Sequence, residues 1–227
     1  MSKPMNIYGD FLVKTTGKHG ADISSQRIDD LDIETLSCAL HHKDKTGIAV
    51  DLGCGIGFQG LRISTLGWKS LLIDRIPIEM TVLKIQGLAE LLPISYLQKD
   101  ARTLTSEDLG DEIGIAYSQR FIHYLRFSEA VSVLALIRST IRADGKLFLS
   151  ASGLRSELGE GYPGSHQDLP SRFAPLHPTM AEKHDIHEPV CLYTPDELVA
   201  LCELASFQPE RVFSSSFKNV KGIFTVK

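Results

Sequence analysis

Three glycines at alternating positions, in the run Val50-Asp51-Leu52-Gly53-Cys54-Gly55-Ile56-Gly57, are the residues whose types and spacing point most directly to chemistry. Glycine removes the Cβ atoms that keep a ligand off the backbone. A helix starting just behind such a turn adds free N–H groups and the positive end of its dipole. The combination suits a nucleotide-like ligand. A ligand-free strand-to-helix turn is the plainer reading, but three alternating glycines weaken a turn unless something must come close. The same letters also satisfy a dinucleotide fingerprint, because Gly55-Ile56-Gly57-Phe58-Gln59-Gly60 reads GxGxxG with Asp74 about twenty residues downstream.

A second group of reactive side chains follows the apolar run Ile113 to Tyr117, where Ser118, Gln119 and Arg120 lead into Phe121-Ile122-His123. His123 could take a proton from a nucleophile, given a free pKa near 6.5. The competing role for it is a histidine packed on a sheet and bonded to backbone. His166, His177, His184 and His187, with Cys191, Asp185 and Glu188, raise the question of a metal. His184-x-x-His187 is short of a zinc pattern and the other spacings are irregular, so no metal site is expected. Cys38, Cys54, Cys191 and Cys202 form no CxxC and read as reduced thiols.

These residues must be held by elements, and the chain alternates short β-rich runs with amphipathic stretches, the pattern of a mostly parallel sheet covered by helices. Strands are expected at Gly47 to Val50, Ser70 to Ile73, Ile94 to Leu97, Ile113 to Tyr117 and Lys146 to Ser150. A helix follows Gly57 and stops at Gly67, and another places Ile78, Val82, Ile85, Ala89 and Leu92 on one face until Pro93 forbids continuation. Ser106 to Glu112 has weak helical character. Ser128 reads as the N-cap of a helix carrying Ala130, Leu134, Ile137 and Ile141, closed by an Asp144-Gly145 turn. Thr194, Pro195 and Glu197 form a capping box ahead of Leu198, Leu201, Cys202 and Ala205. Two last strands, Glu210 to Ser215 and Gly222 to Val226, are joined by too few residues for a crossover and should pair antiparallel.

Two segments stand outside that rhythm. Residues 153–193 show no periodicity and hold half the prolines and half the histidines, which suggests a substrate lid or a disordered insertion, with Tyr162, Phe173 and Tyr193 as possible walls. Residues 1–45 form an arm, with Tyr8, Phe11, Lys18 and His19, and a helix over Asp30 to His42. Residues 46–227 form the main domain. With 43% apolar and 23% charged residues the chain is neither disordered nor fibrous. A net charge of -4 disfavours an obligatory nucleic-acid partner, and the absence of a spanning apolar run or a signal-like start makes cytoplasmic location the default.

Asp51 two positions before the first glycine, the strand count and the terminal hairpin together resemble the class I S-adenosylmethionine-dependent methyltransferases, over nearly everything from Gly47 to Lys227. The resemblance implies an α/β, Rossmann-like, doubly wound and mostly parallel seven-stranded sheet with an antiparallel last strand. It implies S-adenosylmethionine as cofactor, with Gly53, Cys54, Gly55 and Gly57 against its methionine and ribose and Asp51 near its amino end. Asp74, beside Arg75, would accept from both ribose hydroxyls, Asp100 and Ala101 would read the adenine edge, and the arm before the first strand would cover the site. Arg75 and Ser118 would join these cofactor contacts, and Tyr117 and His123 would be the catalytic residues, facing a small-molecule acceptor that offers an O, N or S nucleophile. The chain lacks the Asn/Asp-Pro-Pro-Tyr motif of base and amide N-methyltransferases, so that chemistry loses support. A side-chain base is not required, because alignment alone can supply on the order of 7 to 11 kcal/mol. Two readings stay open beside this one: a nicotinamide-linked oxidoreductase using Gly55, Gly57 and Gly60, and a methyltransferase-like binding module without activity.

Overall fold

Apolar runs of five to seven residues, too short for core helices and too continuous for half-exposed strands, build the centre of the sheet. The computed structural model describes residues 5, 13–14, 20–22, 27–77, 91–110 and 112–227. A two-residue ribbon, β1 (Val13–Lys14) and β2 (Ala21–Asp22), precedes helix α1 (Asp30–His41). Then come β3 (Ile48–Leu52), α2 (Phe58–Ser64), β4 (Lys69–Asp74), β5 (Ile94–Gln98), the single turn α3 (Ser106–Leu109) and β6 (Ile113–Gln119). The chain continues through α4 (Phe127–Thr140), β7 (Ile141–Ala151), α5 (Pro178–His184), α6 (Pro195–Leu204), β8 (Phe207–Ser214) and β9 (Val220–Val226). The helix expected from Ile78 to Leu92, all but its last two positions, and most of the arm before Gly20, lie outside the described residues.

The seven strands are ordered β5-β4-β3-β6-β7-β9-β8. The first five run parallel, and β9 lies antiparallel between β7 and β8. Strand order reverses at β3, which steps to β4 on one side and has β6 on the other. Ligands of doubly wound sheets sit at the carboxyl ends of the strands at such a reversal.

Alternation along the strands sorts side chains onto two buried faces. Val50, Ala116, Leu147 and Leu149 pack toward Leu134 and Ile137 of α4 and Leu198 and Leu201 of α6. Ala49, Ile115, Tyr117 and Phe148 pack the other way, with Leu31 and Ala39 of α1, Ile63 of α2 and Trp68. The Trp68 indole donates to the Ala39 carbonyl at 3.0 Å and pins α1 to the sheet.

Several boundaries differ from the sequence expectation. Helix α4 starts before Ser128, because the Glu129 carboxylate accepts from the Arg126 N–H at 2.8 Å and makes Arg126 the N-cap. Asp144-Gly145 is no helix-closing turn. The chain enters β7 directly after Thr140, pairs Ile141 with Ile113, and absorbs the extra residues in a register shift before Lys146 pairs with Ile115. A Cβ at Gly145 would stand 2.8 Å from the Ile113 carbonyl oxygen, so the bulge needs glycine there. The Thr194 capping box forms as expected, with Thr194 N–H to Glu197 Oε2 at 2.8 Å and Glu197 N–H to Thr194 Oγ1 at 3.3 Å.

The aperiodic insertion over residues 153–193 is packed. Leu158, Tyr162, Leu176, Met180, Ile186, Val190 and Leu192 form a small core of their own. Bridges join Gly153 to Tyr193 and Ala174 to Val190. Arg172, only 5% exposed, grips Glu197 of α6 through two bonds of 2.6 and 2.7 Å and ties the insertion to the main domain. Tyr162 and Tyr193 point into cores instead of forming lid walls. Phe173 lies half-buried under the Arg126 guanidinium, 5.0 Å from it.

Candidate functional site

The glycine run forms the turn from β3 to α2. The N–H groups of Gly53 and Cys54 both donate to the Ile73 carbonyl, at 2.8 and 3.1 Å, which lashes the turn to the end of β4. Gly53 and Gly55 have positive φ, +69° and +55°, for different reasons. A Cβ at Gly53 would fall 2.3 Å from the Phe121 ring, so that glycine lets the ring close over the turn. A Cβ at Gly55 would meet nothing within 4 Å. Among the described residues, no packing demands glycine at 55, and the space beside its backbone is open to a ligand. Gly57, φ +82°, is the N-cap of α2, with no side-chain cap. Cys54 is buried, and burial pushes its thiol well above the ordinary range, so it stays a neutral thiol.

Asp74 ends β4 half-buried. Its Oδ2 accepts from the Gly55 N–H at 2.9 Å and its Oδ1 from the Ile76 N–H at 3.0 Å. Each oxygen keeps a second lone pair, so the carboxylate still has acceptor capacity at the open edge. Arg75 bonds Glu188 of the insertion, at 2.9 and 3.0 Å to its two oxygens. Asp51 lies below the turn, 3% exposed, with Oδ2 accepting from the Gly60 N–H at 2.9 Å. Burial, with Asp32 and Asp74 nearby, pushes its carboxyl up to about 7. From there Asp51 braces the start of α2 from beneath.

Asp100 caps the short turn after β5, accepting from the Arg102 N–H at 3.0 Å, and the Arg102 guanidinium grips both its oxygens. That grip holds its carboxyl below the usual range. The cation that answers it is therefore Arg102, and Lys99 pairs with Asp108 at 2.5 Å. Ala101 beside it is buried.

At the end of β6 the two expected catalytic residues are both inside the protein. The Tyr117 hydroxyl donates to Asp32 Oδ1, and its ring packs with the core under α1, on the same face of β6 as Ile115. Burial, then Asp32, raises its pKa well above the ordinary value. His123 is 2% exposed; its Nδ1 accepts from the Ser152 N–H at 3.4 Å, which leaves the proton on Nε2. Burial drives its pKa down to about 3, with the Arg120 charge adding to the shift. A ring so hard to protonate is a poor general base. Ser118 is buried, and its hydroxyl has no hydrogen-bond partner among the described residues.

What the sequence reading missed is a polar cavity of about 210 Å³ walled by three segments: Arg27 to Asp32 leading into α1, Gln119 and Arg120 after β6, and the β8–β9 turn with Phe217 and Lys221. Lys221 is buried, with its Nζ 2.6 Å from Asp29 Oδ2 and also bonded to Asp30. Although burial opposes it, Lys221 holds the Asp29 carboxyl below its usual range, while burial and Asp29 raise that of Asp32. A lysine in the apolar strand Val220–Val226 and the closely spaced Asp29, Asp30 and Asp32 were the available signals. Only the fold brings them together.

The histidines of the insertion are spread over separate jobs. His177 Nδ1 accepts from the Thr179 N–H at the start of α5, His184 lies 3.3 Å from Glu157, and His187 lies 3.3 Å from Asp185. Among the described residues, no three His, Cys, Asp or Glu side chains converge where an ion could be held. No helix among them is long and apolar enough to cross a membrane.

No family model matches the sequence, and no curated protein does. Solved structures match in fold. The PH0226 protein from Pyrococcus horikoshii OT3 superposes with a TM-score of 0.64 at 18% identity, over 88% of this chain and 95% of that one. The Burkholderia thailandensis 1,6-didemethyltoxoflavin-N1-methyltransferase, solved with 1,6-didemethyltoxoflavin and S-adenosylhomocysteine, gives 0.60 at 14% identity, over 87% of this chain and 79% of that one. The mitomycin 7-O-methyltransferase MmcR gives 0.60 at 16% identity over 87% of this chain, which spans only 54% of MmcR's length. At these identities the likeness establishes the fold. It is the Rossmann-like seven-stranded sheet that these methyltransferases share.

Proposed function

We propose that this chain is an S-adenosylmethionine-dependent methyltransferase acting on an O, N or S nucleophile of a small molecule. The observation that carries the reading is Gly55, held at positive φ with open space beside it and its N–H fixed to Asp74 Oδ2, at the switch point of a methyltransferase-type sheet. A bare peptide next to a half-exposed carboxylate suits an adenosyl group, whose ribose hydroxyls need acceptors. Asp74 and the turn from Gly53 to Gly57 would hold that cofactor, which when bound supplies an already activated methyl group.

The chain's own part is then to bind and align. With Tyr117 and His123 buried and neutral, the site relies on placing the acceptor nucleophile in line with the methyl group and on keeping water out, while the packed insertion provides cover from one side. Asp100 would loosen its hold on Arg102 to read an adenine edge. The arm before α1 is proposed as a second cover, and the acceptor is a small molecule.

Calorimetric titration with S-adenosylhomocysteine and, in parallel, NADH tests the reading. Binding of the first and not the second is expected. Binding of NADH alone would replace the proposal with an oxidoreductase. Binding of S-adenosylhomocysteine without methyl transfer to any of a broad panel of O, N and S nucleophiles would reduce the protein to a binding module.

A further inference from the structure

The charged groups around the 210 Å³ cavity are nearly all matched, and the exception is informative. Lys221 answers Asp29 and Asp30. Asp29 Oδ1 is taken up by the first N–H groups of α1, and Asp32 by the Tyr117 hydroxyl and the Asp29 N–H. Arg120 stands apart. Its half-buried guanidinium makes no hydrogen bond or ion pair with a described residue, whereas its backbone N–H is fixed to the Ser150 carbonyl at 3.0 Å. An arginine carries five N–H donors and keeps its charge at any physiological pH, so leaving it unanswered in a partly desolvated wall is costly.

The backbone points the same way. Arg120 sits at φ +53°, a region non-glycine residues rarely occupy and one that clusters at ligand sites. It directly follows Gln119 of the cavity wall and precedes Phe121, whose ring covers Gly53. The strained residue therefore joins the cavity to the glycine turn. Its charge reaches both sides, helping to keep Asp29 ionised and His123 neutral.

We propose that Arg120 is the specificity residue of the acceptor site and that its guanidinium binds a carboxylate of the small molecule held in this cavity. The planar fork matches a carboxylate with two parallel bonds. A monoanion is the form that fits, because Asp29 and Asp30 in the same wall repel a dianion such as phosphate. A cavity of this size takes a fragment-sized acid, below the usual range for drug-sized ligands. Calling that acid the methyl acceptor rests on the proposed function; the anion site itself does not.

The test titrates the wild type, Arg120→Asn and Arg120→Gly with benzoate, benzamide and benzamidinium, each with and without S-adenosylhomocysteine, by calorimetry. Asparagine and glycine both tolerate positive φ, so the backbone can keep its shape, which circular dichroism checks. Benzoate is expected to bind the wild type, to bind both variants at least tenfold more weakly, and to bind better than benzamide or benzamidinium. Affinity for S-adenosylhomocysteine should stay within twofold in all three proteins. Equal benzoate binding in wild type and variants, no benzoate binding to the wild type, or equal binding of the neutral or cationic analogue would each overturn the assignment. Unfolding of both variants would overturn it too, since a charge kept for a ligand is not needed for folding. Should S-adenosylhomocysteine fail to bind while benzoate still depends on Arg120, the methyltransferase reading falls and the anion site stands.

Discussion

The Asp74 carboxylate holds the Gly55 N–H at 2.9 Å across nineteen residues of sequence, and so fixes the tip of the glycine turn to the end of the neighbouring strand. One residue thereby shapes the turn and offers acceptor lone pairs at its open side. Asp74→Ala removes both. We expect about ten- to a hundredfold weaker binding of S-adenosylhomocysteine by calorimetry, the loss of roughly 1.5 to 3 kcal/mol that a charged hydrogen bond contributes. Unchanged affinity in a folded variant would remove Asp74 from the site.

Gly55→Val should abolish that binding, since its branched side chain would project into the space the protein leaves open. The positive φ adds a backbone cost of about 1–2 kcal/mol, small enough for the far-ultraviolet circular dichroism to stay close to wild type. Gly53→Ala behaves differently. Its Cβ would strike the Phe121 ring, so the thermal midpoint should fall markedly, and retention of the wild-type midpoint would refute the packing role.

These contrasts mark how much was legible. Alternating glycines, a capping box and the spacing of short apolar runs are local signals, and they placed most described strands of the main sheet and helices α1, α2 and α6 in their correct order. Asp144-Gly145 misled because pairing of Ile141 with Ile113, a tertiary event, overrode local turn chemistry. The burial of Tyr117 and His123 was hidden for a related reason: their types suit catalysis, but which side of the sheet a strand-end residue faces depends on what packs there. The insertion was unreadable because short 3₁₀ turns have no apolar period, and the cavity was invisible because its three walls are far apart in sequence.

His123→Asn should leave methyl transfer within a few-fold of wild type, because the ring is already neutral and the amide oxygen can still accept from Ser152. The folded pKa of about 3 lies below the free value, so the unfolded chain binds the proton first as pH falls. The contribution of His123 to stability is thus whole above pH 6.5 and lost between there and about 3, and the variant should lose less stability in acid. A rate drop of a thousandfold with an altered pH profile would restore His123 as a base.

Asp51 has the opposite sign. Its folded pKa of about 7 exceeds the ordinary 3.8, so the folded protein keeps a proton that the unfolded chain has released. Its contribution is complete below pH 3.8 and is lost as pH rises toward 7. Asp51→Asn, which can still accept from Gly60, should gain in thermal midpoint relative to wild type between pH 4.5 and 7.5. A constant difference across that range would show that Asp51 does not titrate there.

Glu197→Gln should cost about 3–5 kcal/mol in denaturant unfolding, since it leaves the buried Arg172 guanidinium uncompensated. A loss under 1 kcal/mol would show that the insertion is held by its own small core alone.

Arg75 and Glu188 carry one last implication. They meet in water, with side chains 38% and 52% exposed, beside the strand end where the nucleotide portion of a cofactor would lodge. A pair so exposed contributes little holding strength and is readily screened. Where this pair spans the seam between the insertion and the sheet edge, its share of the attachment is thus set by dissolved electrolyte, beside the place proposed for the cofactor.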